Sequence, residues 1–424
     1  MAAEGSVAQQ NARLGILGAQ ARLGEARTLW YPTVGARAIA FQAYSPLLEI
    51  GLDDVLGHSD GAALARYYLE TEARLYGLNT SYTALSNGYT TALTLTQPLY
   101  AGGRIAAGNR LARLGVEAAT LQGHVAIRDD RLAIEKKYWL VVSLEDKQQA
   151  LLSGLALLDT LVRDVRSAVQ AGLALSTDLM QVQLRRDELV SDSLRLASGL
   201  RLARMDLLNT IGAAPLSSSG EGDDVPLVLT DRLSALEPPE RFYVSPEEAA
   251  AASDEARLLR LAVQAKQTER RIALGEALPE VGVGASYGYG RLFGTRPRGN
   301  GLVFATVSIP LTDWARTSRK MARIGYEEQQ AAGEQAFLSR QLSLRVRQAW
   351  EELTLCWQQA DVALHAAQTA EALLRQQVQS HAAGLATTAQ LLQAETALHA
   401  AQTTLADRRI AYAEALSLYR SLTE

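Results

Sequence analysis

The sequence predicts an α+β chain made of two tandem structural repeats, each a β-hairpin followed by a very long helical hairpin. Leu93, Leu95 and Leu99 share one parity, which is the period of a strand with one apolar face, and a helical pattern begins at Arg104. The same strand-to-helix junction recurs 212 residues later. Each helical span is also longer than a globular core can accommodate, which is typical of a bundle or coiled coil.

The two junctions share an offset that persists along the chain. Pro310, Leu311 and Arg316 stand 212 residues after Pro98, Leu99 and Arg104. Farther on, the segment Ala-Gly-Leu-Ala at 171–174 recurs at 383–386. Because repetition at a fixed offset indicates duplicated structural units, we predict a first repeat at 1–212, a linker at 213–245 and a second repeat at 246–424.

The first repeat divides into a helix, a β-hairpin and a long helical hairpin. The β-hairpin covers residues 32–99, and Pro98 is expected to close its second strand because proline cannot donate to a sheet ladder. The helical hairpin covers residues 103–212. Its turn is predicted at Gly172, since glycine readily adopts the left-handed conformation at a helix C-terminus.

The second repeat has the same order of elements. A helix begins near Pro246, a β-hairpin covers 279–311, and a helical hairpin covers 316–424 with its turn near Gly384. The last helix carries large side chains at heptad spacing, which predicts a coiled-coil seam. These residues are Leu391, Leu398, Leu405, Tyr412 and Tyr419.

Composition narrows the classes of protein. The net charge of −4 gives no reason to expect a nucleic-acid partner. No apolar run of about 18 residues predicts a transmembrane helix, although strands of a transmembrane barrel would not show that signal. The single Cys356 excludes an internal disulfide and is expected to be buried and inert. The first residues lack a signal peptide, so we expect a truncated or misassigned start rather than a cytoplasmic protein.

The strands of the second hairpin have one apolar face. From Val281 to Tyr289, Val, Ala and Tyr alternate with Gly and Ser, and residues 303–309 alternate as well. Four strands cannot close a barrel, and open hairpins leave exposed edges. The apolar face is therefore expected either in lipid, within a barrel built from several chains, or in a small soluble sandwich.

The barrel interpretation makes positional predictions. Arginine at Val283 or Val307 should be costly, whereas arginine at Gly284 or Ser308 should be tolerated on a wet lumen face. The lipid-facing positions would be Val281, Val283, Tyr287, Tyr289, Val303 and Val307.

Three motifs together resemble the TolC family of outer-membrane efflux proteins. They are Pro32 with its strand, the junction Leu-Thr-Gln-Pro-Leu-Tyr-Ala-Gly-Gly-Arg at 95–104, and the turn at 171–179. The resemblance covers nearly the whole chain. It implies a membrane protein that forms a homotrimer, with a twelve-stranded barrel in outer-membrane lipid. A long α-helical coiled-coil barrel would extend into the periplasm, and the linker would contribute an equatorial region.

The resemblance also implies a function and partners. The trimer would be an exit duct for small molecules or proteins, supplied by an inner-membrane efflux or type I secretion pump through a periplasmic membrane-fusion adaptor. The two helical turns would form the adaptor-docking tips. Carried across by position, the tip residues are Ala171, Gly172, Leu173, Ala383, Gly384 and Leu385.

A gate is implied near the same tips. The family's first-turn aspartate falls on Asp178, and an aromatic partner from a neighbouring protomer falls on His381. Aspartates that ring the aperture in some members are replaced here by Gln390 and Gln393, which predicts a neutral constriction. The alternative for Asp178 is an ordinary acid favoured by the helix dipole, and the two glycines could be simple helix caps.

The sequence contains no sign of catalysis. No nucleophile with a base, no phosphate-binding loop and no Cys/His cluster is visible, so we expect no enzyme activity, cofactor or metal. The main alternative to the duct is a soluble coiled-coil scaffold or a structural protein similar to a periplasmic adaptor.

Overall fold

The computed structural model describes most of the chain, namely residues 6–44, 48–57, 59–78, 82–84, 87–212, 229, 236–291, 296–311 and 314–423. Within these residues the protein is mainly helical and has one four-stranded antiparallel sheet. The helices are α1 (Val7–Thr28), α2 (Leu52–Leu56), α3 (Asp60–Leu75), α4 (Arg104–Gln170), α5 (Ser176–Thr210), α6 (Pro246–Ala252), α7 (Asp254–Gly275), α8 (Trp314–Ala382) and α9 (Thr388–Thr423). The strands are β1 (Thr33–Gln42), β2 (Leu48–Ile50), β3 (Tyr82–Ala84), β4 (Asn87–Ala101), β5 (Glu280–Arg291) and β6 (Arg298–Ser308).

The chain folds into two compact units. The first, here called the helical unit, comprises residues 1–20, 114–264 and 328–424; the second, here called the sheet unit, comprises residues 21–113 and 265–327. Helices α4 and α8 contain 67 and 69 residues, and each lies where a long helical span was predicted. At about 1.5 Å per residue each approaches 100 Å in length. No helix in the described ranges contains an 18-residue window apolar enough to cross a membrane.

The four-stranded sheet has the order β1-β4-β5-β6. The two predicted hairpins are therefore joined edge to edge through β4 and β5, with Leu93 opposite Tyr287. The prediction that Pro98 closes its strand is wrong, because β4 continues to Ala101. A change of register between Pro98 and Tyr100 accommodates the proline, as bulges do when a residue cannot join the ladder.

The core of the helical unit contains two main clusters. One packs Leu158 and Val162 of α4 against Val182 of α5 and Leu391 of α9. The other packs Leu353 of α8 against the tyrosines of the predicted heptad ladder in α9. Leu391, Tyr412 and Tyr419 of that ladder are buried, while Leu398 and Leu405 are half-buried.

The predicted linker at 213–245 is described at residue 229 and from residue 236 onward, and the rest of it lies outside the described residues. Its described end packs on α9. The hydroxyl of Tyr412 donates to the carbonyl of Glu237, and the amide of Val244 donates to the hydroxyl of Tyr419 at 2.9 Å. Trp350 lies between Tyr243 and Tyr419, with ring centroids 4.9 and 5.3 Å away. These contacts explain why two large tyrosines can be buried, since each hydroxyl has a partner.

Candidate functional site

The register of the sheet collects apolar side chains on one face, here called the apolar face. Val281 pairs with Val307, and Ala285 pairs with Leu95 on one side and Val303 on the other. All six predicted lipid-facing positions share this face. Four of these side chains are exposed in the single chain, with Val303 at 84% and Val307 at 65%, while Val281 and Val283 are half-buried. In water, exposure of so large a contiguous apolar surface is unfavourable, so this face is a surface for another apolar medium or partner.

Aromatic side chains flank the apolar face at both ends of the strands. At one end lie Tyr89, Tyr287 and Tyr289, and each is exposed. At the end where the strands meet the helices lie Tyr100, which pairs with Val281, and Trp30, Tyr31 and Trp314, which are also exposed. Tyr and Trp prefer an interface where one end of the ring is apolar and the other is wet.

The opposite face of the sheet, here called the polar face, consists mainly of Gly, Ser and Thr. It is not open everywhere, because Phe304 of β6 lies over Gly284 of β5. A Cβ at Gly284 would come within 2.4 Å of the Phe304 ring and 3.0 Å of the Leu95 carbonyl oxygen. An arginine at Gly284 therefore requires the Phe304 ring to move, and its tolerance there stays a prediction. Ser308 has an exposed side chain, in keeping with the tolerance predicted there.

The two turns between the long helices have the same hydrogen-bond pattern. At the first, Gly172 has φ +74°, its amide donates to Val169, and the amide of Leu173 donates to Ala168 at 2.8 Å. At the second, Gly384 has φ +72°, and the amide of Leu385 donates to Ser380 at 2.8 Å. This is the arrangement of a helix end capped by a left-handed glycine.

Both turns present a leucine to solvent. Leu173 is 83% exposed and Leu385 is 82% exposed. A leucine after the capping glycine commonly packs back on its helix, and here neither does so. The two side chains are thus available to a partner, at equivalent positions in the two hairpins.

The predicted gate residues make local contacts at the helix starts. The carboxylate of Asp178 accepts a hydrogen bond from the Leu175 amide at 3.3 Å. At the position 212 residues later, the side-chain oxygen of Gln390 accepts from the Thr387 amide at 2.9 Å, while the Gln390 amide donates to the Thr387 hydroxyl. Both residues therefore cap their own helices.

The remaining predicted gate residues lie on either side of the second turn. Nε2 of His381 lies 3.4 Å from the hydroxyl of Thr388. Gln393 is exposed in the second turn of α9. Within the described residues, no group of three or more His, Cys, Asp or Glu side chains is arranged to hold a metal ion.

A buried ion pair in the helical unit was not predicted from the sequence. Nε of Arg185 in α5 lies 2.9 Å from Oε2 of Glu395 in α9, and the two side chains are only 17% and 4% exposed. Burial alone would lower the pKa of Arg185, but its hydrogen bonds and charge interactions with Glu395 and Glu188 together outweigh this and raise that pKa. The pair ties together helices from the two hairpins. Heptad spacing places Glu395 beside the seam, but only the packing of α5 identifies its partner.

Solved structures of outer-membrane proteins share this fold. The outer membrane protein VceC from Vibrio cholerae matches with a TM-score of 0.73 and 18% identity, over 100% of this chain and 94% of that chain. The MtrE outer membrane channel of Neisseria gonorrhoeae, in its open state, matches with a TM-score of 0.72 and 16% identity over 100% and 87%. The CmeC outer membrane channel of Campylobacter jejuni matches with a TM-score of 0.73 and 12% identity over 100% and 84%.

At the level of sequence, no protein-family model and no curated protein matches the chain. The identities to the solved structures are low, so the likeness is one of fold. The mainly helical fold with a four-stranded antiparallel sheet, expected from the resemblance to the TolC family, is confirmed.

Proposed function

We propose that this protein, which has the fold of outer-membrane channels, is the trimeric exit duct of an export system. One observation carries the proposal: a single chain leaves one face of its sheet apolar and exposed, and leaves the outer edges of β1 and β6 without a partner strand among the described residues. Closure with further copies would pair both edges, and lipid would cover the apolar face.

The proposed closure places β6 of one protomer beside β1 of the next. Three copies of a four-stranded sheet then make a twelve-stranded barrel. Strands β1, β5 and β6 contain 10, 12 and 11 residues. A tilted transmembrane strand needs about 9–11 residues, so these strands are long enough to cross a bilayer.

The aromatic residues support the same placement. Tyr100 pairs with Val281, and Tyr289 follows eight residues later on β5. At about 3.3 Å per residue this separation is about 26 Å along the strand, of the same scale as the ~25 Å apolar band of outer-membrane barrels. The two groups of aromatic side chains would then lie at the two surfaces of the membrane.

In this proposal the long helices form a coiled-coil conduit in the periplasm, and the two-repeat organisation gives it pseudo-symmetry. The turns at Gly172 and Gly384 are the docking tips for a periplasmic adaptor, which connects the duct to an inner-membrane pump. The exposed Leu173 and Leu385 supply apolar contacts for the adaptor. The export substrate comes from the pump, and no catalytic step is assigned to this chain.

The gate near the tips would be held by contacts between protomers. Asp178 and His381 would form a latch across a protomer boundary, and Gln390 and Gln393 would line a neutral constriction. A hydrogen bond that involves a charged group contributes about 1.5–3 kcal/mol, so three symmetric copies could hold the aperture closed and still be released by an adaptor.

Membrane extraction and planar-bilayer recording test the duct. The full chain should require detergent for solubility, migrate as a trimer, and give discrete conductance steps in a bilayer. A monodisperse, detergent-free monomer would refute the duct and favour the soluble scaffold or adaptor-like alternative.

Two variants test the tips separately from the barrel. Leu173→Asp with Leu385→Asp should abolish crosslinking to a cognate adaptor while conductance stays unchanged.

Asp178→Ala with His381→Ala should raise single-channel conductance if the latch exists. Because Asp178 also caps α5, Thr387→Ala is the matched control, since it removes a cap at the other turn. If Thr387→Ala changes conductance as much as the double variant does, Asp178 acts only as a helix cap and the latch is refuted.

A further inference from the structure

The charged residues on the polar face of the sheet are mainly arginines. Strand parity and register place Arg37 of β1 and Arg298 of β6 on this face, and both side chains are exposed. Among the described strand residues the other charged group on this face is Glu280, at the helical end of β5. Its carboxylate is ion-paired with Arg104 at 2.8 Å. Because Arg104 neutralises Glu280, the charges of Arg37 and Arg298 give the polar face a net positive charge.

The position of these arginines in the sheet matters more than their number. β1 and β6 are the two outer strands, so within one chain Arg37 and Arg298 lie on opposite margins of the sheet. In the proposed trimer, on which this step rests, β6 of one protomer lies beside β1 of the next. Each of the three seams then carries one arginine on each flanking strand, and both face the lumen.

The two arginines also lie at similar heights. Arg298 pairs with Gly290, and the row of Arg37 runs through Ala92 to Gly288. The separation measured along β5 is two residues, or about 7 Å at the rise of a strand. Both rows lie in the half of the sheet away from the helices. In the proposed trimer, Arg37 and Arg298 of the three protomers form a ring of guanidinium groups, here called the arginine band.

We propose that the arginine band makes the strand-lined part of the duct selective for anions, and that its solutes carry carboxylate or phosphate groups. A guanidinium is charged at every physiological pH and binds both groups with paired N–H donors. The neighbouring positions on this face, Gly35, Ile39 and Ala92 around Arg37 and Gly290 and Asn300 around Arg298, carry no charge that would neutralise it. A narrow passage with low-dielectric walls focuses such a field and concentrates counter-ions.

A segment of opposite charge also adjoins this end of the sheet. The connection between β1 and β4 joins Gln42 to Asn87 and carries six acidic residues against two arginines, Arg66 and Arg74. The acidic residues are Glu49, Asp53, Asp54, Asp60, Glu70 and Glu72. If these carboxylates controlled the mouth, the duct would prefer cations. A preference for anions would therefore favour the arginine band, and a preference for cations would favour the acidic connection.

Reversal potentials in a KCl gradient across a planar bilayer provide the test. The wild-type trimer should pass chloride in preference to potassium. Arg37→Gln with Arg298→Gln should lower the chloride-to-potassium permeability ratio by about twofold or more, since a potential of about one kT changes local ion concentrations by a factor of about 2.7. Arg37→Glu with Arg298→Glu should reverse the preference. Arg37→Lys with Arg298→Lys, which keeps the charge, is the matched control and should retain it.

The outcomes separate this inference from the proposed function. Effects should be larger at 0.1 M than at 1 M salt, because the screening length falls from about 10 Å to about 3 Å. Trimers that conduct with the same permeability ratio in all four forms, or a cation-selective wild type, would overturn the arginine band and leave the duct intact. A wild-type chain that forms no channel would overturn both.

Discussion

The helical unit and the sheet unit differ in how far a single chain buries their apolar side chains. In the helical unit Tyr419 is fully buried, Tyr412 is 2% exposed, and both hydroxyls are hydrogen-bonded. On the sheet, valines such as Val303 remain largely exposed. One chain thus buries these tyrosines among its helices, where Phe337 and several leucines stay exposed, but leaves much of the apolar face of its sheet uncovered. The comparison teaches that the helical core is complete within one chain in water, whereas in the proposed trimer the apolar face of the sheet is covered only by lipid and its edges only by further copies of the chain.

Breaking the buried ion pair should have the largest effect on the helical unit. Glu395→Ala leaves the poorly solvated Arg185 paired only with the more exposed Glu188, so we expect a loss of at most about 3–5 kcal/mol in the free energy of unfolding. Glu371→Ala is the matched control, because its pair with Arg375 is exposed on α8 and such pairs contribute about 0–1 kcal/mol. Denaturation followed by circular dichroism measures both. Equal losses would mean that water reaches Arg185.

Two adjacent positions on β6 test whether the apolar face of the sheet lies in lipid and the polar face in water. Val307 belongs to the apolar face and Thr306 to the polar face. Val307→Arg should destabilise the bilayer-inserted protein by about 2–4 kcal/mol, the cost of an arginine at mid-membrane depth. Thr306→Arg should cost much less because its side chain would meet water. Reversible unfolding from vesicles gives the two values. Similar losses at both positions would remove the contrast between lipid and lumen.

The helical turns should show a smaller effect, equal in the two hairpins. Gly172→Ala or Gly384→Ala puts a Cβ on a left-handed backbone, and each should cost about 1 kcal/mol. Neither Cβ would meet a neighbouring atom within 4 Å, so the loss is one of backbone conformation alone. Gly333→Ala, in the interior of α8 with open space, should instead stabilise by up to about 1 kcal/mol. Thermal unfolding distinguishes the signs, and stabilisation at the turns would contradict the strained backbone.

Cys356 offers the mildest probe of the helical core. Burial, aided by a hydrogen bond and charge interaction with Glu352, raises the pKa of its thiol to about 11. At pH 8 the folded protein should leave a thiol reagent unreacted, whereas the denatured chain should react fully. The unfolded thiol ionises near pH ~8.5, so the stability due to Cys356 should fall as the pH rises from there toward 11. Cys356→Ser should abolish that part of the pH dependence.

Local patterns were sufficient to predict most of the elements. Strand alternation and helical periodicity located the four long strands, and the capping glycines 172 and 384 located both turns to the residue. The apolar face was predicted correctly because a period of two determines which side chains share a face. The bulge at Pro98 was missed, since the choice between ending and bulging depends on whether β5 continues beside β4.

Side-chain roles were harder to predict. Asp178 and Gln390 were assigned to a gate from a resemblance, and the structure shows that each also caps its helix. The gate itself depends on contacts between protomers and stays a prediction. The pair Arg185–Glu395 spans 210 residues, and no local signal connects two positions so far apart.

The sequence by itself determined the order of the long helices and the four long strands, the positions of the helical turns, and which side of each long strand is apolar. These follow from short-range periodicity and from the backbone preferences of single residues. Only the tertiary structure decided that β4 pairs with β5, that Phe304 occupies the space over Gly284, and that Glu395 meets Arg185. The physical reason is that such contacts depend on how distant segments pack, and close packing allows one arrangement among many that share the same local pattern.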